Sequence, residues 1–261
     1  MYYALLEGID RQTLSVLSQL WEEKCQDGYE RGAQMLTDLE TEQEAQVQAT
    51  DPNALTAGQV FKLAHFKYHY VQFGHCIYIR ERPARRTQAI FYCRKLRDAQ
   101  NLCLDFAKKQ ELPAGDWLQF QLLAVNCMCK AFEINNETLK NSGGALGCLA
   151  AAEEIIGAAV LRHDQGNLWE CKLGPKAYYI EKVYSTGAFV VGKRALLSDK
   201  NGRTDIALPC YQKELKYTGW LAEHAAYGGN RQAAKNKLPA IQNDIDRLAG
   251  ALPVPESRPV P

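Results

Sequence analysis

From Arg11 to Leu248 apolar residues recur three and four positions apart, and no run alternates apolar and polar residues between tight turns. Residues three and four apart share one face of a helix, whereas a strand needs a period of two, so this spacing restricts the chain to helices. The clearest stripe is Leu63, Phe66, Tyr70, Phe73 and Ile77, on a helix that reaches about Arg80. Asp51-Pro52 reads as the N-cap and first-turn proline of that helix, and Pro83 as the turn after it.

The same reading extends along the chain. An amphipathic stretch over about 11–48 bends near Gly28 and turns acidic in DLETEQEAQ. A helix over about 84–110 buries Ala89, Tyr92 or Cys93, Leu96, Cys103 and Phe106. WLQFQLLAVNCMCKAF is apolar nearly all round, which marks a central helix. Asn135-Asn136 ends it and caps a fifth helix that runs through Gly143, Gly144 and Gly147 to about His163. Helices over about 175–198, 204–227 and 230–248 follow, with Asp199–Arg203 as a turn-rich loop. The expected fold class is all-α: seven to eight long helices in an antiparallel array, TPR-like or solenoid-like, with under roughly a tenth of residues in strand. Residues 1–250 are expected to form one helical domain, and ALPVPESRPVP at 251–261, with four of the chain's ten prolines, an extended tail.

Composition narrows the function classes. Hydrophobic residues at 46% and charged residues at 23% describe a globular chain. A net charge of +1 supplies no global field toward nucleic acid or membrane, so any such attraction needs a local patch. No run of eighteen apolar residues occurs, and MYYALLEGIDRQ lacks a basic start before an apolar stretch, so neither a membrane span nor a signal peptide is expected. The nine cysteines are odd in number, scattered and without a C-x-x-C pair, the pattern of buried free thiols in a reducing compartment. A cytoplasmic protein without a cofactor is the expectation.

Candidate chemistry is sparse. His65 and His69, four apart and in line with Gln72 and Cys76, have a spacing that can place two imidazoles on one metal ion. No third ligand announces itself, and the competing reading makes them the polar side of their helix. Glu153-Glu154 and the pair Asp244 and Asp246 point apart on a helix and read as solvated face. Gly143-Gly144-Ala-Leu-Gly147 lacks the Lys and the preceding strand of a phosphate loop. His163 and His224, near helix ends, suit the macrodipole. Two basic clusters remain. Arg80, Arg82, Arg85, Arg86, Arg94, Lys95 and Arg97 surround the Pro83 turn, while Lys172, Lys176, Lys182, Lys193, Arg194, Lys200 and Arg203 mingle with Tyr178, Tyr179 and Tyr184. Such groups hold an acidic helix, phosphates or an anionic membrane surface, or form an ordinary solvated face.

Four stretches, FKLAHFKYHYVQFGHCIYI, AIFYCRKLRDAQNLCLDFAKKQ, LQFQLLAVNCMCKAFEINNETLKNSGGALGCLAAAEEIIGAA and KAYYIEKVYSTGAFVVGKRALLSDKNGRTDIALPCYQKELKYTGWL, occur in an order that resembles the helical core of Bro-type (ALIX-like) domains of the ESCRT machinery. The likeness covers about Phe61 to Tyr227 through diffuse patterns rather than invariant signatures. Family members carry strands ahead of this core, and the residues before Phe61 read as helix instead. The resemblance implies a non-enzymatic scaffold that takes an amphipathic partner helix in a groove between its own helices. Its expected lining is Phe73, Ile77 and Ile90 as apolar anchors, with Arg86 and Arg94 facing acids on the partner. The rival expectations are a metal-dependent enzyme using His65, His69 and Cys76, and a regulator on an unrelated helical-repeat fold.

Overall fold

A computed structural model of the chain describes residues 11–51, 54–80, 85–167 and 177–251. Helix accounts for 89% of these residues, and none of them is in a strand. Nine α-helices occur among the described residues: α1 Arg11–Glu22, α2 Gln26–Ala49, α3 Ala57–Arg80, α4 Arg85–Lys109, α5 Ala114–Glu133, α6 Ser142–Asp164, α7 Ala177–Lys200, α8 Thr204–His224 and α9 Gly228–Ala251. A one-turn π-helix, Ile134–Thr138, follows α5. The all-α array expected from the spacing is therefore present. The proline-rich segment after Ala251 lies outside the described residues.

Three boundaries differ from the sequence reading, each for a local reason. The first stretch is two helices, because Lys24 takes a positive φ of 50° and Cys25 caps α2, its sulfur accepting the Gly28 N–H at 3.3 Å. Helix α3 begins at Ala57 and not at the Asp51-Pro52 pair. Thr56 and Gln59 form a capping box there: the Gln59 N–H donates to Thr56 Oγ1 at 3.3 Å, and the Thr56 N–H donates to Gln59 Oε1 at 3.0 Å. Asn135 and Asn136 fall in the π turn, and α6 is capped by Asn141, whose Oδ1 accepts the Gly144 N–H at 3.0 Å.

The chain, read from sequence as one domain, groups into two compact units, Met1–Tyr179 and Ile180–Pro261. Each closes a core of its own. In the first unit α2 packs on α3, α3 on α4, α4 on α5 and α5 on α6. Leu36, Phe66 and Phe73 join Leu17, Leu20 and Tyr29 in one cluster, while Val71, Leu96, Phe120 and Leu123 belong to a second between α3 and α5. Helix α6 is the one described helix long and apolar enough to cross a membrane. It packs on α5, and one of its buried side chains is Glu153, which the sequence placed on a solvated face.

In the second unit Ala195, Ala207, Cys210, Tyr211, Ile241 and Ile245 form the core of α7, α8 and α9. Trp220 stacks flat on Tyr184 at 4.0 Å and 7°. The buried Glu181 carboxylate accepts the Ala226 N–H at 2.8 Å and the Asn230 side-chain amide, so a residue of α7 caps the start of α9.

Close helix approach in the first unit depends on glycine. A Cβ on Gly32 of α2 would fall inside contact distance of the Phe73 ring on α3, which Trp21 and Tyr29 hold at centroid distances of 5.2 and 6.3 Å. Overpacking costs typically about 1–3 kcal/mol, against a helix-propensity gain of up to about 1 kcal/mol. Gly32→Ala should therefore lower the urea midpoint, and adding Phe73→Leu should recover part of the loss. A Gly32→Ala protein as stable as the parent would show that the α2–α3 approach is looser than described.

Candidate interaction surface

Helix α4 turns Ala89, Tyr92, Leu96, Ala99, Cys103 and Ala107 inward, a repeat of three and four that leaves its opposite side in solvent. That outer side carries two large apolar residues, Ile90 at 39% exposure and Phe91 at 44%, among the exposed guanidinium groups of Arg86, Arg94 and Arg97. Asp98 is the acid on the next turn.

Phe91 is held in place from beneath. Its ring lies edge-on to Tyr70 at 6.4 Å and tilted against Tyr92 at 5.9 Å. The Lys95 ammonium sits 4.4 Å from the Tyr70 ring centre and 5.6 Å from that of Phe91. Lys95 is drawn inward by Glu40 of α2, with Nζ 2.7 Å from Oε2. Glu40 is 5% exposed, and its Oε1 accepts from Lys67 Nζ of α3 at 2.9 Å; Lys67 also donates to Glu44. Two ammonium groups thus face two carboxylates in a neutral tetrad joining α2, α3 and α4. Burial pulls Lys67 down, yet the hydrogen bonds to Glu40 and Glu44 outweigh it and hold the ammonium above its ordinary range. Burial and the Glu40 charge push the Tyr70 hydroxyl up.

The five residues expected to line a partner groove separate. Arg86, Ile90 and Arg94 share the outer side of α4, whereas Phe73, at 3% exposure, is core between α1, α2 and α3. The Ile77 side chain lies outside the described residues, as do Arg82 and the side chains of Arg80 and Arg85. Lys95 leaves the first basic cluster for the interior. The second cluster disperses further: Tyr179 and Tyr184 are buried, Arg203 is paired with Asp205 at 2.9 Å, and Lys172, Lys176 and the Tyr178 side chain are outside the described residues. Phe91 was absent from the expected lining. Its signal was available, because it stands beside Ile90 and out of register with the inward stripe.

Of the histidine pair, His65 is buried and His69 half-buried, so they do not form a solvated polar side of α3. His65 is 3% exposed, with its ring 5.1 Å from Phe61 and 4.7 Å from His69. His69 Nδ1 is 2.9 Å from Gln72 Oε1, and the Gln72 amide donates to the Tyr68 hydroxyl at 2.7 Å. Among the described residues no group of three His, Cys, Asp or Glu could hold a metal ion, and the Cys76 side chain is not among them. Burial, reinforced by His69, holds His65 well below the ordinary histidine range, and burial brings His69 to about 4 against the opposing Gln72 contact. His75 is also drawn to about 4, by burial and then by Lys130.

Two expectations follow from these interior groups. Glu40→Ala leaves two partly buried ammonium groups around one carboxylate and should cost roughly 3–5 kcal/mol in urea unfolding. A loss below about 1 kcal/mol would mean that the tetrad behaves as a surface pair. The histidines set a pH dependence. Their neutral forms belong to the folded state, while an unfolded histidine titrates near about 6.5. The unfolded chain therefore binds more protons below that pH, so stability is full above about 6.5 and falls as pH drops toward about 4. His65→Phe should keep the neutral-pH midpoint close to that of the parent and reduce the acid slope in urea titrations at stepped pH. An unchanged slope would remove His65 from the explanation.

The chain matches no family model, no curated protein and no solved structure.

Proposed function

We propose that this chain is a non-enzymatic interaction module that binds the apolar side of an acidic amphipathic helix on the outer face of α4. The observation that carries the reading is the adjacent exposed pair Ile90 and Phe91, set among Arg86, Arg94 and Arg97 with Phe91 braced by Tyr70 and Lys95. A partner helix with apolar residues at i, i+3, i+4 and i+7 would cover Ile90 and Phe91 while its flanking carboxylates meet the guanidinium groups. Arg is suited to this role because its planar fork pairs two oxygens at once.

The Bro-type resemblance of about Phe61 to Tyr227 supports the same reading and suggests an occupant, the C-terminal helix of an ESCRT filament subunit, with a role in membrane trafficking. The surface would be centred on α4, with Ile90, Arg86 and Arg94 retained from the expected lining and Phe73 left to the core. Stoichiometric zinc or iron in the purified protein would favour the metal-dependent alternative at His65 and His69.

The test is calorimetry with the acidic helical peptide of a protein retained from lysate by a column of the wild-type chain. Burying one apolar anchor contributes roughly 1.5–3 kcal/mol, so Ile90→Asp should weaken binding by about 10- to 100-fold. Arg94→Glu should weaken it with a loss that diminishes as salt rises. If Ile90→Asp retains the parent's circular dichroism spectrum and binds with unchanged affinity, the surface is elsewhere. Uptake by anionic vesicles with no affinity for the peptide would replace the helix with a membrane.

A further inference from the structure

Seven cysteines carry described environments, and two of them share a single neighbour. The Asn135 side-chain nitrogen lies 3.7 Å from Cys93 Sγ and 4.0 Å from Cys148 Sγ, while donating to the Ala131 carbonyl at 2.8 Å. Cys93 is on α4 and Cys148 on α6, so residues far apart in sequence place both sulfurs around one amide, at the π turn after α5. Both are half-buried, unlike Cys103 and Cys127, which are sealed in the core. Single π turns are rare and are frequently found at functional sites.

We propose that Cys93 and Cys148 are a dithiol site that closes to a disulfide with low-molecular-weight disulfides such as oxidised glutathione. In the first step the Cys148 thiolate attacks one glutathione sulfur, forming a mixed disulfide and releasing a glutathione thiolate that takes up the proton lost by Cys148. In the second the Cys93 thiolate attacks Cys148 Sγ, which closes the bond and releases the second glutathione. Two protein thiols are oxidised and one disulfide is reduced to two thiols. Closure to a sulfur–sulfur bond of about 2 Å requires the two sulfurs to move together and the Asn135 amide to give up its contacts with them.

The electrostatic setting favours the product over the thiolate. Burial, followed by the Cys148 neighbour, pushes the Cys93 thiol up to about 11 against the pull of Arg97, and burial raises Cys148 against the same guanidinium. Few thiolates form at neutral pH, so reaction is slow. The disulfide is neutral and needs no solvation, so it suits a half-buried position once formed.

The test equilibrates the folded full chain with oxidised glutathione at mildly alkaline pH, quenches it by alkylation and maps the peptides. A Cys93–Cys148 linked peptide that dithiothreitol abolishes is expected to dominate. In Cys93→Ser the second step is blocked, and Cys148 should instead retain glutathione as the mixed disulfide. Phenylarsine oxide, which bridges paired thiols, should bind the reduced parent once and protect both cysteines from alkylation, a readout that needs no variant. The proposal is overturned if Cys93 and Cys148 stay alkylatable, carry glutathione separately or link to other cysteines, and if the arsenical protects neither.

Discussion

Glu40 is the interaction on which the first unit most depends. Its two carboxylate oxygens meet ammonium groups from α3 and α4, so one side chain on α2 fixes the register of three consecutive helices. Apolar packing alone allows helices to slide by a turn at modest cost, because one stripe of Leu, Phe and Ala resembles the next. A buried charge has no such freedom, since displacement by a turn would leave it unpaired in a low-dielectric interior. The tetrad also reaches the surface: through Lys95 it orients Tyr70 and Phe91, so the most exposed aromatic of α4 is positioned by a carboxylate two helices away.

Much of the fold was legible in the sequence because helix periodicity reports burial directly. Ala89, Leu96 and Cys103 were expected inward and are inward, and of the alternatives Tyr92 and Cys93 it is Tyr92 that is buried. The breaks were less visible. Thr56 with Gln59 caps α3 where Asp51-Pro52 offered a more obvious signal, and Lys24 interrupts the first stretch with a left-handed residue that no Gly or Asn announces. Both are settled by hydrogen bonds spanning three residues, against which composition has little power.

The site was only partly legible, because linear clustering of charge ignores the rotation of the helix. Lys95 sits one residue from Arg94 and points to the opposite environment, paired with Glu40 while Arg94 is in solvent. Tyr184, read together with neighbouring lysines, is stacked under Trp220. Phe73 belongs to a regular stripe and follows it into the core, where Gly32 makes room for it. What identifies a surface is an apolar residue that breaks the stripe, and Ile90 with Phe91 do so side by side.

Glu181 sets a limit on how the second unit can be divided. In a stack of helix pairs joined only by apolar contacts, the terminal helix can fray or be clipped while the rest persists. Here α9 supplies Asn230, and the turn before it the Ala226 N–H, to a carboxylate rooted in α7. Lys237 reaches Glu214 of α8 at 2.5 Å, and Arg247 reaches Asp199 of α7 at 2.6 Å. Cutting the chain before α9 would take Asn230 from Glu181 and Lys237 from Glu214, removing the partner that α9 supplies to each carboxylate. Helices α7 to α9 are thus tied by polar contacts as well as by a shared apolar core, so cleavage in the 225–230 turn should loosen the three helices together and not only the last one.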